Sequence, residues 1–161
     1  MKKPFLALSF LALAIVSTSV YAEDQPKIVN AAEAKFAAFP NTPKCAKGAV
    51  QNGDPNQGAS VMLLRFTPGC SVPTHWHTPN EQVMMVSGTA KLTPHAGEAK
   101  VLRSGAYAFM PSKHPHSFIC TTACSFYLTS DGAFDIHYVD ASGKEISADE
   151  ALQTSKKAPK K

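Results

Sequence analysis

The run Thr74-His75-Trp76-His77-Thr78-Pro79-Asn80-Glu81 constrains this chain more than any other feature. In an extended strand alternate side chains share a face, so His75 and His77 look the same way and Trp76 looks the other. After a Thr78-Pro79-Asn80 loop, Glu81 opens the next strand-like run and can return a carboxylate to the same point. Two imidazoles and a carboxylate around one centre make a metal-ligand set. Three ligands rarely complete a site, and His116 is the best downstream candidate for the fourth.

The wider pattern from Gly69 to Gly88, Gly-x5-His-x-His-x3-Glu-x6-Gly, resembles the first motif of the cupin family at every fixed position. Residues 105–120 resemble the second, Gly-x5-Pro-x-Gly-x2-His-x3-Asn. Gly105, Pro111 and His116 match; Lys113 stands where that motif has glycine, and Cys120 where it has asparagine. The resemblance covers residues 46–139. It implies an all-β fold, the cupin jelly-roll barrel or double-stranded β-helix, with His75, His77, Glu81 and His116 as metal ligands inside it. Likeness to cupin dioxygenases also implies that Glu81 moves protons during turnover, a catalytic role. No single reaction follows, because cupins include dioxygenases, isomerases, decarboxylases, sensors and storage proteins.

The strand pattern agrees with that fold. Ten short runs, at residues 46–51, 61–66, 75–77, 82–86, 90–93, 99–102, 106–110, 116–120, 124–129 and 134–139, alternate with Gly, Pro and Asn breaks. Val61-Met62-Leu63-Leu64 and Val83-Met84-Met85-Val86 are apolar on both faces, whereas a half-solvated antiparallel strand should alternate. The second face needs a cover, either the N-terminal arm or a second subunit, and a homodimer is the expectation. Residues 31–39 have helical propensity, although in the family such a stretch often pairs as an outer strand. Tyr107, Phe109, Phe118 and Phe126 are read as apolar barrel surface, Trp76 as packing, and His95 and His137 as surface or packing residues. Lys113 and His114 are placed near the mouth.

Ahead of the barrel, Met1-Lys2-Lys3, an apolar run at residues 5–16 and Val20-Tyr21-Ala22 have the form of a secretory signal peptide cleaved after Ala22. The domain plan is therefore signal peptide 1–22, N-terminal arm 23–45, cupin domain 46–145 and a disordered basic tail 146–161, with at most a helical turn at 149–152. A periplasmic or secreted protein without stable membrane insertion is expected. Sixteen Lys and Arg face twelve Asp and Glu. Lys2 and Lys3 leave with the leader, and Lys156, Lys157, Lys160 and Lys161 sit in the tail, so the body is slightly acidic. No basic face with interleaved aromatics is visible, and nucleic acid is not an expected partner.

All four cysteines, Cys45, Cys70, Cys120 and Cys124, lie in the exported part, and an even number there favours disulfides. Thr121-Thr122-Ala123 looks like a hairpin turn that lets Cys120 meet Cys124, which would leave Cys45 with Cys70. Thiolate coordination by Cys120 is the weaker alternative.

Three neutral imidazoles and one carboxylate on a divalent ion leave a charge near +1 and one or two open positions. Such a centre favours an anionic chelating oxygen ligand. Because metal would be acquired after folding, the Irving–Williams order favours Zn, Cu or Ni over Fe or Mn. Two function classes follow: a dioxygenase-type enzyme acting on a small chelating oxygen-containing molecule, as in quercetinases, and a non-catalytic metal or small-ligand binding protein or sensor, like the zinc cupins of anti-sigma factors. Export argues against the anti-sigma role.

Overall fold

The computed structural model describes residues 26–157. The leader at 1–22 lies outside them, as do Lys160 and Lys161. Eleven strands are present: β1 (Ala46–Gly53), β2 (Ser60–Phe66), β3 (Ser71–Trp76), β4 (Glu81–Ser87), β5 (Thr89–Pro94), β6 (Lys100–Arg103), β7 (Tyr107–Met110), β8 (His116–Cys120), β9 (Cys124–Ser130), β10 (His137–Val139) and β11 (Glu145–Ile146). They form two antiparallel sheets, β1-β2-β9-β4-β7 and β11-β10-β3-β8-β5-β6. This is a jelly roll, with the apolar faces of the two sheets turned toward each other.

Period-two alternation explains the interior. Val83 and Met85 of β4, Phe126 and Leu128 of β9, and Phe118 of β8 are buried in step with their strands. Phe66, Phe118 and Phe126 meet edge-on or tilted, with ring centroids 5.9, 5.1 and 5.0 Å apart. Such aromatic contacts contribute about 0.5–1.5 kcal/mol each beyond the area they bury. Of the four aromatics read as apolar barrel surface, Phe118 and Phe126 turn inward, whereas Tyr107 and Phe109 project outward from β7 and are 58% and 45% exposed.

The N-terminal arm runs along the free edge of β1. Ala37 bridges Gly48, and a side chain at Gly48 would strike the Phe39 ring at 2.2 Å, so the crossing requires glycine. The arm then reaches over the outer face, where Arg65 bonds the Ala31 carbonyl at 3.1 Å and lies over the Phe36 ring. Residues 31–39 therefore form a turn and one bridge, not a helix; tertiary pairing overrides propensity. On this half of the outer face Ala49 and Leu63 are buried, while Tyr107, Phe109 and Tyr127 stay exposed on the other half.

Two further expectations need correction. The segment between Cys120 and Cys124 is not a hairpin turn, because β8 and β9 belong to opposite sheets and the chain crosses between them. The disulfides nonetheless pair as Cys45–Cys70 and Cys120–Cys124, and no described cysteine is free. At the C-terminus, residues expected to be a disordered tail form β11 and the helix α1 (Ala148–Lys157). Ser147 caps it, its Oγ accepting the Glu150 amide at 3.2 Å. Ala151 is buried, and the helix packs against β3 and β10. The Ser147-Ala148-Asp149-Glu150 sequence is the serine-x-x-glutamate start signal that could have revealed this helix.

Candidate metal centre

Strand pairing brings the four singled-out side chains together. His75 lies on β3 and is the direct partner of His116, the first residue of β8. His77 follows β3, and Glu81 is the first residue of β4 in the other sheet. All four are buried, none more than 5% exposed. The imidazole centroids are 4.8, 4.4 and 5.6 Å apart, and ring nitrogens of the three histidines converge within 4.8 Å of one another. Glu81 Oε2 lies 3.0 Å from His116 Nε2 and 3.6 Å from His77 Nε2.

The backbone sets how these rings face. Nδ1 of His75 bonds the Pro73 carbonyl at 2.7 Å, Nδ1 of His116 bonds the His114 carbonyl at 3.0 Å, and Nδ1 of His77 bonds the Asp135 carbonyl. A carbonyl only accepts, so each Nδ1 carries a proton; His75 and His77, held neutral, keep a lone pair on Nε2, while His116 Nε2 donates to the Glu81 carboxylate in the metal-free site. Three Nε2 atoms are thus aimed inward on fixed rings, the pattern seen where imidazole ligands are oriented by outer partners. His77 Nε2 is buried without a hydrogen-bond partner and Glu81 Oε2 meets only His116 Nε2, an arrangement that costs free energy unless something bridges the cluster. The donor set therefore suits a divalent cation.

Electrostatics agree with that chemistry. Burial pushes His75 well below the ordinary imidazole value, helped by the charges of His116 and His77. Burial also lowers His77, with Glu81 opposing. At Glu81 burial works toward the neutral acid, but His116, His77 and His75 outweigh it and hold the carboxyl down at about 2. For His116 burial lowers the value, and the adjacent Glu81 carboxylate wins and raises it. Two neutral imidazoles and an ionised carboxylate are the protonation states that metal binding needs.

Three loops clamp this end of the barrel. Asn80 bonds Asp131 through both its amide and its side chain, and its Oδ1 accepts the Ser112 amide at 2.9 Å. Ser112 Oγ donates to the Thr78 carbonyl at 2.6 Å, and the Lys113 amide donates to the His77 carbonyl at 2.8 Å. Asp135 Oδ1 accepts the Thr78 amide at 2.7 Å, and the Phe134 ring stacks on His77 with centroids 4.3 Å apart. Asp135 and Phe134 were not singled out in the sequence, where residues 134–139 read as one strand; only residues 137–139 are strand, and the rest is loop.

The remaining candidates lie outside the cluster. His95, Lys113 and His114 are exposed, with Lys113 Nζ 6.0 Å from the Trp76 ring centre. Trp76 points away from its flanking histidines and stacks on His137 at 3.9 Å. His137 also contacts Glu145 at 2.7 Å and Asp135 at 3.2 Å. Cys120 is in a disulfide and gives no ligand.

The comparisons with known proteins agree with a two-sheet jelly roll. The cupin domain family model matches residues 62–130. Among solved structures, the polyketide cyclase RemF from Streptomyces resistomycificus is 18% identical with a TM-score of 0.64, covering 72% of this chain and 87% of its own. A putative acetylacetone dioxygenase from Methylibium petroleiphilum PM1 is 16% identical with a TM-score of 0.61, covering 80% and 90%. An RmlC-like cupin from Shewanella frigidimarina is 17% identical with a TM-score of 0.57, covering 68% and 93%. No curated protein sequence matches. Over residues 62–130 the chain is thus similar to the cupin domain family, and its fold is similar to those of solved cupins.

Proposed function

We propose that this protein is an exported metal-dependent cupin enzyme of the dioxygenase type, acting on a small chelating oxygen-containing molecule. His75, His77, His116 and Glu81 hold its divalent ion. The observation that carries this reading is the convergence of three buried imidazole Nε2 atoms beside the buried Glu81 carboxylate. When bound, the ion supplies Lewis acidity, and a redox-active ion adds dioxygen chemistry.

The chain's own residues do the rest. The neutral histidines and the Glu81 carboxylate leave the occupied site near one positive charge, which draws an anionic oxygen chelator. Glu81, the one carboxylate of the cluster, is ionised and is the site residue assigned to take a proton from an acidic C–H or O–H of a bound ligand. Apolar barrel walls keep water away from that transfer. The fold likeness to a putative acetylacetone dioxygenase supports a small diketone as the first compound to try. Export is part of the same reading, and two disulfides suit an oxidising compartment.

The test is oxygen uptake by protein loaded separately with Cu, Ni, Fe, Mn and Zn, on a panel of diketones and flavonols. We expect one ion per chain and oxygen consumption on a small diketone with at least one redox-active ion. Failure to hold any ion overturns the reading. Stoichiometric ion without turnover on the panel favours the non-catalytic binding role.

A further inference from the structure

The cavity beneath the His/Glu cluster has an unusual lining. Beyond those four residues, the only polar side chain lining it among the described residues is Thr42. The Thr42 hydroxyl already donates to the Phe39 carbonyl at 2.8 Å. No lysine, arginine, asparagine or glutamine lines the space, and its walls are aliphatic and phenyl groups from both sheets. All other hydrogen-bonding capacity sits at the ligand cluster.

The space is also small. The volume in which the centre of a water molecule fits is about 70 Å³. The enclosed part of the space therefore suits a compact molecule rather than a fused-ring one. Phe66, Phe118 and Phe126 all line it, and their mutual packing leaves little slack to widen it.

From this geometry we infer the substrate class: a compact chelator whose polar atoms are confined to one two-oxygen head, with a short hydrocarbon body and no second polar or charged group. The inference rests on the metal reading above and adds what the cavity excludes. A carboxylate on the body would be buried against phenyl and aliphatic carbon with no donor to meet it, and a hydroxyl would find an acceptor only at Thr42. Stranding one such neutral group lowers affinity on the order of tenfold or more. A bicyclic or diaryl chelator exceeds the enclosed part of that space. The flavonols therefore fall outside the class, and short diketones and hydroxyketones fall within it.

The experiment is calorimetric titration of the full-length mature protein loaded with zinc, which reads binding without turnover, with zinc content measured before and after. The ligands are 2,4-pentanedione, 2,4-hexanedione, 1-hydroxy-2,4-pentanedione, and 1,3-diphenyl-1,3-propanedione. The second and third differ only by methyl against hydroxyl. We expect the two plain diketones to bind within about threefold of each other and the hydroxylated one at least tenfold more weakly. The diphenyl compound should give no heat. In Phe126→Ala, which opens the inner end, 1-phenyl-1,3-butanedione should gain affinity relative to 2,4-pentanedione while one zinc per chain is retained.

Equal or tighter binding of the hydroxylated diketone, or binding of the diphenyl compound, overturns the inference. Stoichiometric zinc with no diketone binding also overturns it and leaves the metal reading standing. Absence of zinc from the protein overturns the metal reading, and this inference with it. A Phe126→Ala chain that does not fold changes none of these outcomes, since the wild-type series decides them.

Discussion

Burial pushes the imidazoles of His75 and His77 down from the ordinary value of 6.5, and this has a measurable consequence for the metal-free protein. An unfolded chain takes up protons at both side chains as pH falls through 6.5, and the folded chain does not. Stability is therefore lost progressively from 6.5 downward, until the folded values are passed. His116 acts oppositely: its raised value gives a contribution fully present below 6.5 and lost as pH rises through the folded value. Glu81, held at about 2 against 4.5, contributes above 4.5 and loses that contribution as pH falls toward 2. Two lowered histidines outweigh one raised, so thermal denaturation in chelator should give a Tm that falls between neutrality and about pH 5. A flat or rising Tm over that window would count against the buried neutral histidines. Lys113 supports a second prediction. It holds φ 58 at a motif position that is glycine in the family. A left-handed non-glycine residue costs roughly 1–2 kcal/mol, partly offset by the greater freedom glycine has when unfolded. Lys113→Gly should stabilise the protein by about 0.5 kcal/mol, read from chemical denaturation. Destabilisation would mean that the contact between Lys113 and Trp76 outweighs the backbone effect.

The connection from β9 to β10, residues 131–136, holds His77 in place although it is remote from it in sequence. Its Asp135 carbonyl fixes the His77 ring, and its Asp135 carboxylate ties the loop to the Thr78 amide. Removing that carboxylate should loosen the ring without removing a ligand. Asp135→Ala is expected to weaken zinc binding roughly tenfold or more, with Asp135→Asn closer to wild type because an amide oxygen can still accept the Thr78 bond. Unchanged zinc affinity in Asp135→Ala, measured by competition with a chelator, would assign the carboxylate a purely local role. This loop also marks where sequence reasoning stopped. His75, His77 and Glu81 were legible because strand alternation fixes their face, and Gly69, Gly88 and Gly105 because they sit at φ 77, 84 and 82, where other residues are strained. Phe134 and Asp135 reach the site through loop geometry and a backbone carbonyl, which no side-chain periodicity reports. The crossing between β8 and β9 was hidden for a related reason: a three-residue link between strands looks alike whether it closes a hairpin or changes sheet. Helix α1, by contrast, announced itself in Ser147-Ala148-Asp149-Glu150 and was masked by the lysines that follow.

At the scale of the whole molecule, two sheets enclose a space whose lining is apolar except at the four-residue cluster and Thr42. The barrel is stapled by Cys45–Cys70 and Cys120–Cys124, the arm closes the free edge of β1, and α1 packs across β3 and β10. The proposed ligands lie on or just after β3 and on β8 of one sheet and on β4 of the other, so the full set assembles only when the sheets pack. If the chain is exported unfolded, as we propose, its ion is taken up outside the cytoplasm, where the ordering of affinities favours zinc, copper or nickel. The most direct test of the central claim is metal analysis of the protein purified from its native compartment, run beside His75→Ala, His116→Ala and His95→Ala. The account predicts about one zinc, copper or nickel ion per chain in wild type and His95→Ala, and loss of that ion in His75→Ala and His116→Ala. Full metal occupancy in His75→Ala and His116→Ala would contradict it.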